Sequence, residues 1–107
     1  MILHIVYDKN GEAVADQKSM EYALSKRNRI YQTDQELQVN VANEMVVHCF
    51  RLLVKQGEIK INEIYFYNKD SDPNLTRPID IDESGSFSYY PKRFLEEHKK
   101  ILKDLIW

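Results

Sequence analysis

The sequence is short of cysteine, glycine, proline and surplus positive charge, and each shortage removes a class of function. Its single cysteine, Cys49, cannot close an internal disulfide, which fits a reducing cytoplasmic setting. Three isolated glycines cannot build a phosphate-cradling Walker loop or a dinucleotide fingerprint, so no nucleotide cofactor is expected. Three prolines and three glycines leave room for few long loops. The longest apolar runs, Ile2–Leu3 with Ile5–Tyr7 and Leu52–Val54, fall far short of the roughly 18 residues that span a bilayer. His4 and Asp8 interrupt the apolar start, so no secretory signal is expected. With 15 basic against 17 acidic residues, the chain lacks the basic excess of proteins that live on phosphate contacts. Nucleic acid is therefore disfavoured as a partner.

What remains is an ordinary globular composition, 43% apolar and 30% charged. At 107 residues it is expected to fold as one domain, residues 1–107. Met1–Tyr7 reads as a strand, and Asp8-Lys9-Asn10-Gly11 as an Asn-Gly hairpin turn into a short partner strand at Glu12–Ala15. Asp16 is placed to cap a helix from Gln17 that ends in the basic run Lys26-Arg27-Asn28-Arg29. Leu37–Val41 alternates strictly and predicts a strand, with a longer helix from near Thr33 as the rival. Asn40 or Asn43 caps the next helix, Ala42–Gln56, and Gly57 stops it. Glu58–Tyr67 and Thr76–Ile81 read as strands, and Ser84-Gly85-Ser86 as a turn. Pro91 opens a last helix with Phe94, Leu95, His98, Ile101, Leu102, Leu105 and Ile106 on its inner face. The expected fold is α/β, with α+β as its variant: one small domain of about four strands and three helices.

Chemistry-bearing patterns are sparse. His48 and Cys49 are neighbours on a helix, so their side chains diverge by about 100° and cannot share a proton easily. Cys49 falls on the apolar side and reads as a core thiol. His4, His48 and His98 lack metal-ligand spacing. Asn68-x-Asp70-x-Asp72 mimics half of a calcium loop, but Pro73 stands where glycine is needed and Ile79 where the closing glutamate belongs. Asp80, Asp82 and Glu83 add acid nearby, which leaves a small divalent-metal hydrolase or nuclease using residues 70–83 as an alternative function. Glu44, His48, Arg51 and Lys55 recur at helical spacing and form a single polar stripe, read as wet. With the surface tyrosines Tyr65 and Tyr67, that stripe is the candidate partner-binding surface, since interfaces favour Tyr and Arg.

The stretch Asn43-Glu44, Phe50–Val54, Gly57-Glu58-Ile59, Glu63–Tyr67, Ile79–Phe87, Tyr90-Pro91 and Phe94–Glu97 resembles the C-terminal end of ABC-like AAA ATPases of the overcoming-lysogenisation-defect kind. There a strand leads through a His-Ser-Glu turn into an Arg-containing helix. A Tyr/Phe-rich strand, an Ile-x-Ile-Asp-x-x-Gly strand and turn, and a Trp-Pro-x-x-Phe helix start follow. The departures carry weight. Ala42 stands in the place of the switch histidine, and the Walker lysine loop and acidic metal-binding strand have no counterpart. Glu44, Gly85 and Pro91 carry over as scaffold positions. The resemblance implies a piece of that fold without the ATPase, such as an accessory that docks on a larger ATPase or joins a phage-defence type complex.

The leading expectation is therefore a non-enzymatic binding or regulatory subunit with a protein partner, without metal or cofactor. The metal-dependent hydrolase is one alternative, and a self-associating structural protein, a homo-oligomer, is the other.

Overall fold

A computed structural model describes residues 2–91; the expected helix from Pro91 to Trp107 lies outside these residues from position 92 on. In chain order they form β1 (Ile2–Glu12), α1 (Ser19–Thr33), β2 (Glu36–Val41), α2 (Glu44–Lys55) and β3 (Ile64–Asn68). Short 3₁₀ turns precede α1 (Asp16–Lys18) and β3 (Ile61–Glu63). The expected α/β class is what is found. The described residues hold three strands and two α-helices, against the four and three expected for the whole chain.

All strand pairings are parallel, and the order is β2-β1-β3, so the first strand is the central one. Leu3 pairs with Leu37 and Ile64, and Ile5 with Val39 and Phe66. With Val41, these side chains face one way and join Ala23 and Ile30 of α1 and Val46, Val47, Phe50, Leu53 and Val54 of α2 in one cluster. Both helices therefore cover the same face of the sheet. On the other face the same register sets His4 beside Gln38 and Tyr65. That face is polar but partly shielded: Val6 and Tyr67 are buried on it.

Five local expectations are corrected. Asn10-Gly11 does not turn a hairpin. Tyr7 and Glu12 are both registered on Val41, so residues 8–11 bulge out of β1 and the chain returns to the same parallel neighbour. Gly11 is needed there because a Cβ would lie 2.6 Å from the Asn40 carbonyl carbon. A hairpin turn signal says nothing about a distant parallel partner, and that partner decides the path.

Asp16 does not cap α1. It accepts a 2.7 Å hydrogen bond from Asn43 Nδ2. Nor does the basic run end the helix: α1 continues to Thr33 because Ile30 is needed in the core, and Asp34 stops it at φ 52°. The predicted strand Glu58–Tyr67 starts only at Ile64, since Glu63 folds back on the Lys60 N–H in a 3₁₀ turn. Thr76–Ile81 is not a strand either. Ile79 makes one antiparallel bridge to Phe66, and Ile81 bridges to Phe87 instead. Pro78 has no N–H to extend that ladder.

The boundaries of α2 follow their sequence signals. Asn43 Oδ1 accepts from the Met45 N–H at 2.7 Å, a side-chain cap. At the other end the Gly57 N–H reaches Val54 O and the Glu58 N–H reaches Leu53 O, with Gly57 at φ 77°, a Schellman stop.

Candidate functional site

The six residues expected to form one partner surface lie in three places. Glu44 and Arg51 are buried, 8% and 7% exposed, so the stripe on α2 is not the wet edge its spacing implied. The reason lies in two segments remote in sequence. Tyr7 at the end of β1 donates to Glu44 Oε1 at 3.2 Å. The turn at residues 82–87 folds over Arg51, whose Nε donates to Gly85 O at 2.8 Å and whose guanidinium lies 4.7 Å from the Phe87 ring centre. Burial lowers the Arg51 pKa, while Tyr90 and Asp82 oppose that loss. Arg51 Nη1 also donates to His48 Nδ1 at 2.9 Å, so His48 is part of the same support. Lys55 is exposed and lines an open groove of about 610 Å³ with Val54, Ile59, Ile61 and Glu83. Tyr65 and Tyr67 lie on the opposite face of the sheet and cannot share a surface with the α2 stripe.

Cys49 packs against the core, and burial pushes its thiol pKa up, away from the reactive thiolate. The acidic stretch is turned inward on its own loops. Asp72 accepts from the Arg77 N–H at 2.7 Å and from Thr76 Oγ1 at 3.1 Å. Asp82 accepts from the Ser84 N–H, the Ser84 hydroxyl and the Ser86 N–H. Among the described residues, no group of three or more His, Cys, Asp or Glu side chains is placed to hold a metal ion.

Two clefts open at the carboxyl ends of the strands, where chain order reverses across the sheet. In open α/β sheets such a switch point is a frequent ligand position. One, about 390 Å³, lies between β1 and β3 and is lined by Tyr7, Asp8, Lys9, Asn10, Asn68, Lys69 and Asp70. Two of its charged groups are already engaged. Asp8 is bonded by the Asn10 N–H and by Asn40 Nδ2, which hold its carboxyl below the ordinary range. Lys69 Nζ reaches Pro73 O at 3.0 Å. The other is lined by Tyr7, Val14, Asp16, Asn43 and Glu44, with Asn43 tying Val14 and Asp16 together.

The arrangement that sequence reading missed lies across the polar face. His4, on the central strand, bridges its two neighbours: its Nδ1 is 2.9 Å from Tyr67 Oη on β3, and its Nε2 is 3.1 Å from Glu36 Oε1 on β2. The imidazole stacks on the Tyr65 ring at 5.7 Å between centres. His4, Glu36 and Tyr67 border a cleft of about 300 Å³ completed by Gln38 and Leu75. The alternation of Glu36/Gln38 and Tyr65/Tyr67 marked one polar face on each strand. Only the parallel register around β1 joins them through His4.

The outer edge of β2 lies beside this cleft. Among the described residues β2 pairs with β1 alone, whereas β3 has its outer side bridged by Ile79. Edge strands usually carry charged side chains, lysine above all, proline or a bulge that discourages foreign pairing. Glu36-Leu37-Gln38-Val39-Asn40-Val41 has no lysine or proline, and Glu36 at its start is its one charge. Comparisons with models of protein families, with curated proteins and with solved structures return no match for this chain. No helix among the described residues is long and apolar enough to cross a membrane.

Proposed function

We propose that this chain is a non-enzymatic binding subunit that accepts an extended strand of a larger protein on the outer edge of β2. The observation that carries this reading is that, among the described residues, nothing pairs with the outer side of β2. A parallel sheet exposes a row of N–H and C=O groups there, and strand addition satisfies them while neighbouring side chains select the partner. Charge argues against a second copy as the occupant. Glu36 stands on the edge strand, and Asp8 is hydrogen-bonded to Asn40 on that strand. A copy would bring the same acids to meet them, and like charges across a strand pair are destabilising. The complementary occupant is a strand with basic residues. Given the resemblance of residues 43–97 to the end of an ATPase fold, an ATPase of that class is the partner to test first.

The test is amide hydrogen exchange on the purified chain, alone and mixed with such an ATPase. Amides of Glu36–Val41 are expected to gain protection in the mixture, and Asn40→Lys, which puts a charge on the edge beside Asp8, is expected to abolish that gain. Protection mapping to the groove around Lys55 and Ile61 instead would move the interface off β2. A dimer by light scattering whose β2 amides are protected without partner would make a second copy the occupant.

A further inference from the structure

Hydrogen-bond direction across Glu36, His4 and Tyr67 gives the cleft beside β2 a definite chemical preference. An ionised carboxylate only accepts, so the contact at Glu36 Oε1 puts the ring proton of neutral His4 on Nε2. His4 Nδ1 is then an acceptor, and Tyr67 must donate its hydroxyl proton to it. Burial raises the Tyr67 pKa, with the charges of Tyr65, Asp72 and Glu36 adding to that, which keeps the phenol protonated for this task. Gln38 repeats the pattern on the same strand: its Nε2 donates to Asn40 Oδ1 at 2.9 Å, so its carbonyl oxygen remains as an acceptor. The ring hydrogen of His4, the Tyr67 hydroxyl hydrogen and one of the two Gln38 amide hydrogens are spent internally. What remains for a ligand is chiefly acceptors, Glu36 Oε2 and the Gln38 amide oxygen, two residues apart on one edge, with one Gln38 amide hydrogen beside them.

We infer that this cleft seats a basic side chain, an arginine guanidinium above all, carried by the strand added to β2. The inference rests on the docking reading above and specifies its partner. A guanidinium presents several donors in one plane and no acceptor, which matches two neighbouring acceptors, one of them charged. Leu75 and the Tyr67 ring offer apolar and aromatic surface to an arginine stem and its charged plane. Glu36 is the one negative charge lining the cleft, and its side chain is 66% exposed, so a cation reaches it without displacing a packed group.

Methylguanidinium ion alone tests the seat without any strand. Titrated into the purified chain and followed by NMR, it is expected to give saturable shifts at the His4 ring and the Gln38 side-chain amide. Glu36→Gln is expected to weaken that binding about tenfold, while Glu21→Gln, an exposed glutamate on α1, leaves it unchanged. A lack of saturable shifts, or shifts that survive Glu36→Gln at full strength, overturns the seat. A hexapeptide of alternating valine and threonine with one central arginine, and its glutamine counterpart, separate seat from edge. Tighter binding of the arginine peptide supports the seat. Equal protection of β2 by both peptides keeps the edge and overturns the seat. No β2 protection with either, beside saturable methylguanidinium shifts, keeps a cation site and overturns strand addition.

Discussion

Arg51 and Gly85 hold each other in two directions. The Arg51 Nε donates to Gly85 O at 2.8 Å, and a Cβ on Gly85 would stand 2.4 Å from the Arg51 carbonyl oxygen. The side chain on α2 thus clamps a turn whose closest approach is made against that residue's own backbone. Gly85 also adopts φ 79°, a left-handed conformation.

Gly85→Ala is therefore expected to destabilise the fold by roughly 2–4 kcal/mol, the sum of left-handed strain and a backbone clash. Urea denaturation followed by circular dichroism measures it. A cost under about 0.5 kcal/mol, the size of an ordinary surface change, would show that the turn is not pressed on α2.

Arg51→Met keeps the aliphatic length and the contact with Phe87 but removes the donor to Gly85 O. A buried carbonyl left unbonded costs roughly 1–3 kcal/mol. The same experiment tests the docking role that the polar stripe implied against a role for buried Arg51 as a strut. Loss of stability without any change in β2 protection by a partner is the expected outcome.

The stripe shows where sequence reading stops. Asn43 and Gly57 bracket α2 by local hydrogen bonding, and both signals lie within a few residues of the bonds they make. The alternation at Leu37–Val41 marks a strand for the same reason. Arg51, in contrast, is buried by a turn 34 residues away in sequence, and nothing in its own helix announces that. The Asn10-Gly11 pair fails in the same manner: its path is set by Asn40 and Val41 on a parallel strand reached through all of α1. His4 joins Glu36 and Tyr67, 32 and 63 residues distant, so the cleft becomes visible only once the strand order is known.

Acid should loosen the fold in a predictable direction. Asp82 is held below its ordinary value of 3.8, chiefly by the Ser84 hydroxyl and the Ser86 N–H. Asp72 is held down chiefly by the Arg77 N–H, with Thr76 assisting. A depressed folded pKa contributes stability above the unfolded value, and that contribution is lost as pH falls through the folded value. Melting temperature is expected to be flat in this respect above about pH 4 and to decline below it. Asp82→Asn should remove part of the decline. An identical acid limb in the variant would mean that the Asp82 bonds do not persist in solution.

Asn43 closes α2 and also ties the segment before α1, through Val14 O and Asp16 Oδ1. Asn43→Ala is expected to cost roughly 1–2 kcal/mol, the loss of a helix cap. A double-mutant cycle with Asp16→Ala isolates the second role. A coupling indistinguishable from zero would leave Asn43 as a cap alone.

The donor direction across His4 can be read without any ligand. With Glu36 accepting at one ring nitrogen, the neutral imidazole must carry its proton on Nε2, and ¹⁵N shifts distinguish that tautomer from the other. Tyr67→Phe removes the hydrogen bond at Nδ1 but leaves Glu36 in place, so the Nε2–H form should persist while stability falls by roughly 1–2 kcal/mol. Glu36→Gln replaces an obligate acceptor by a group that both accepts and donates, so the tautomer preference should weaken. Because the Glu36 side chain is 66% exposed, that variant should fold normally. If the wild-type ring is instead found with its proton on Nδ1, Tyr67 would be the acceptor and its hydroxyl would be free to point into the cleft. The cleft would then offer a second donor beside its acceptors, and its preference for a cation over a neutral polar side chain would weaken to what Glu36 alone supplies.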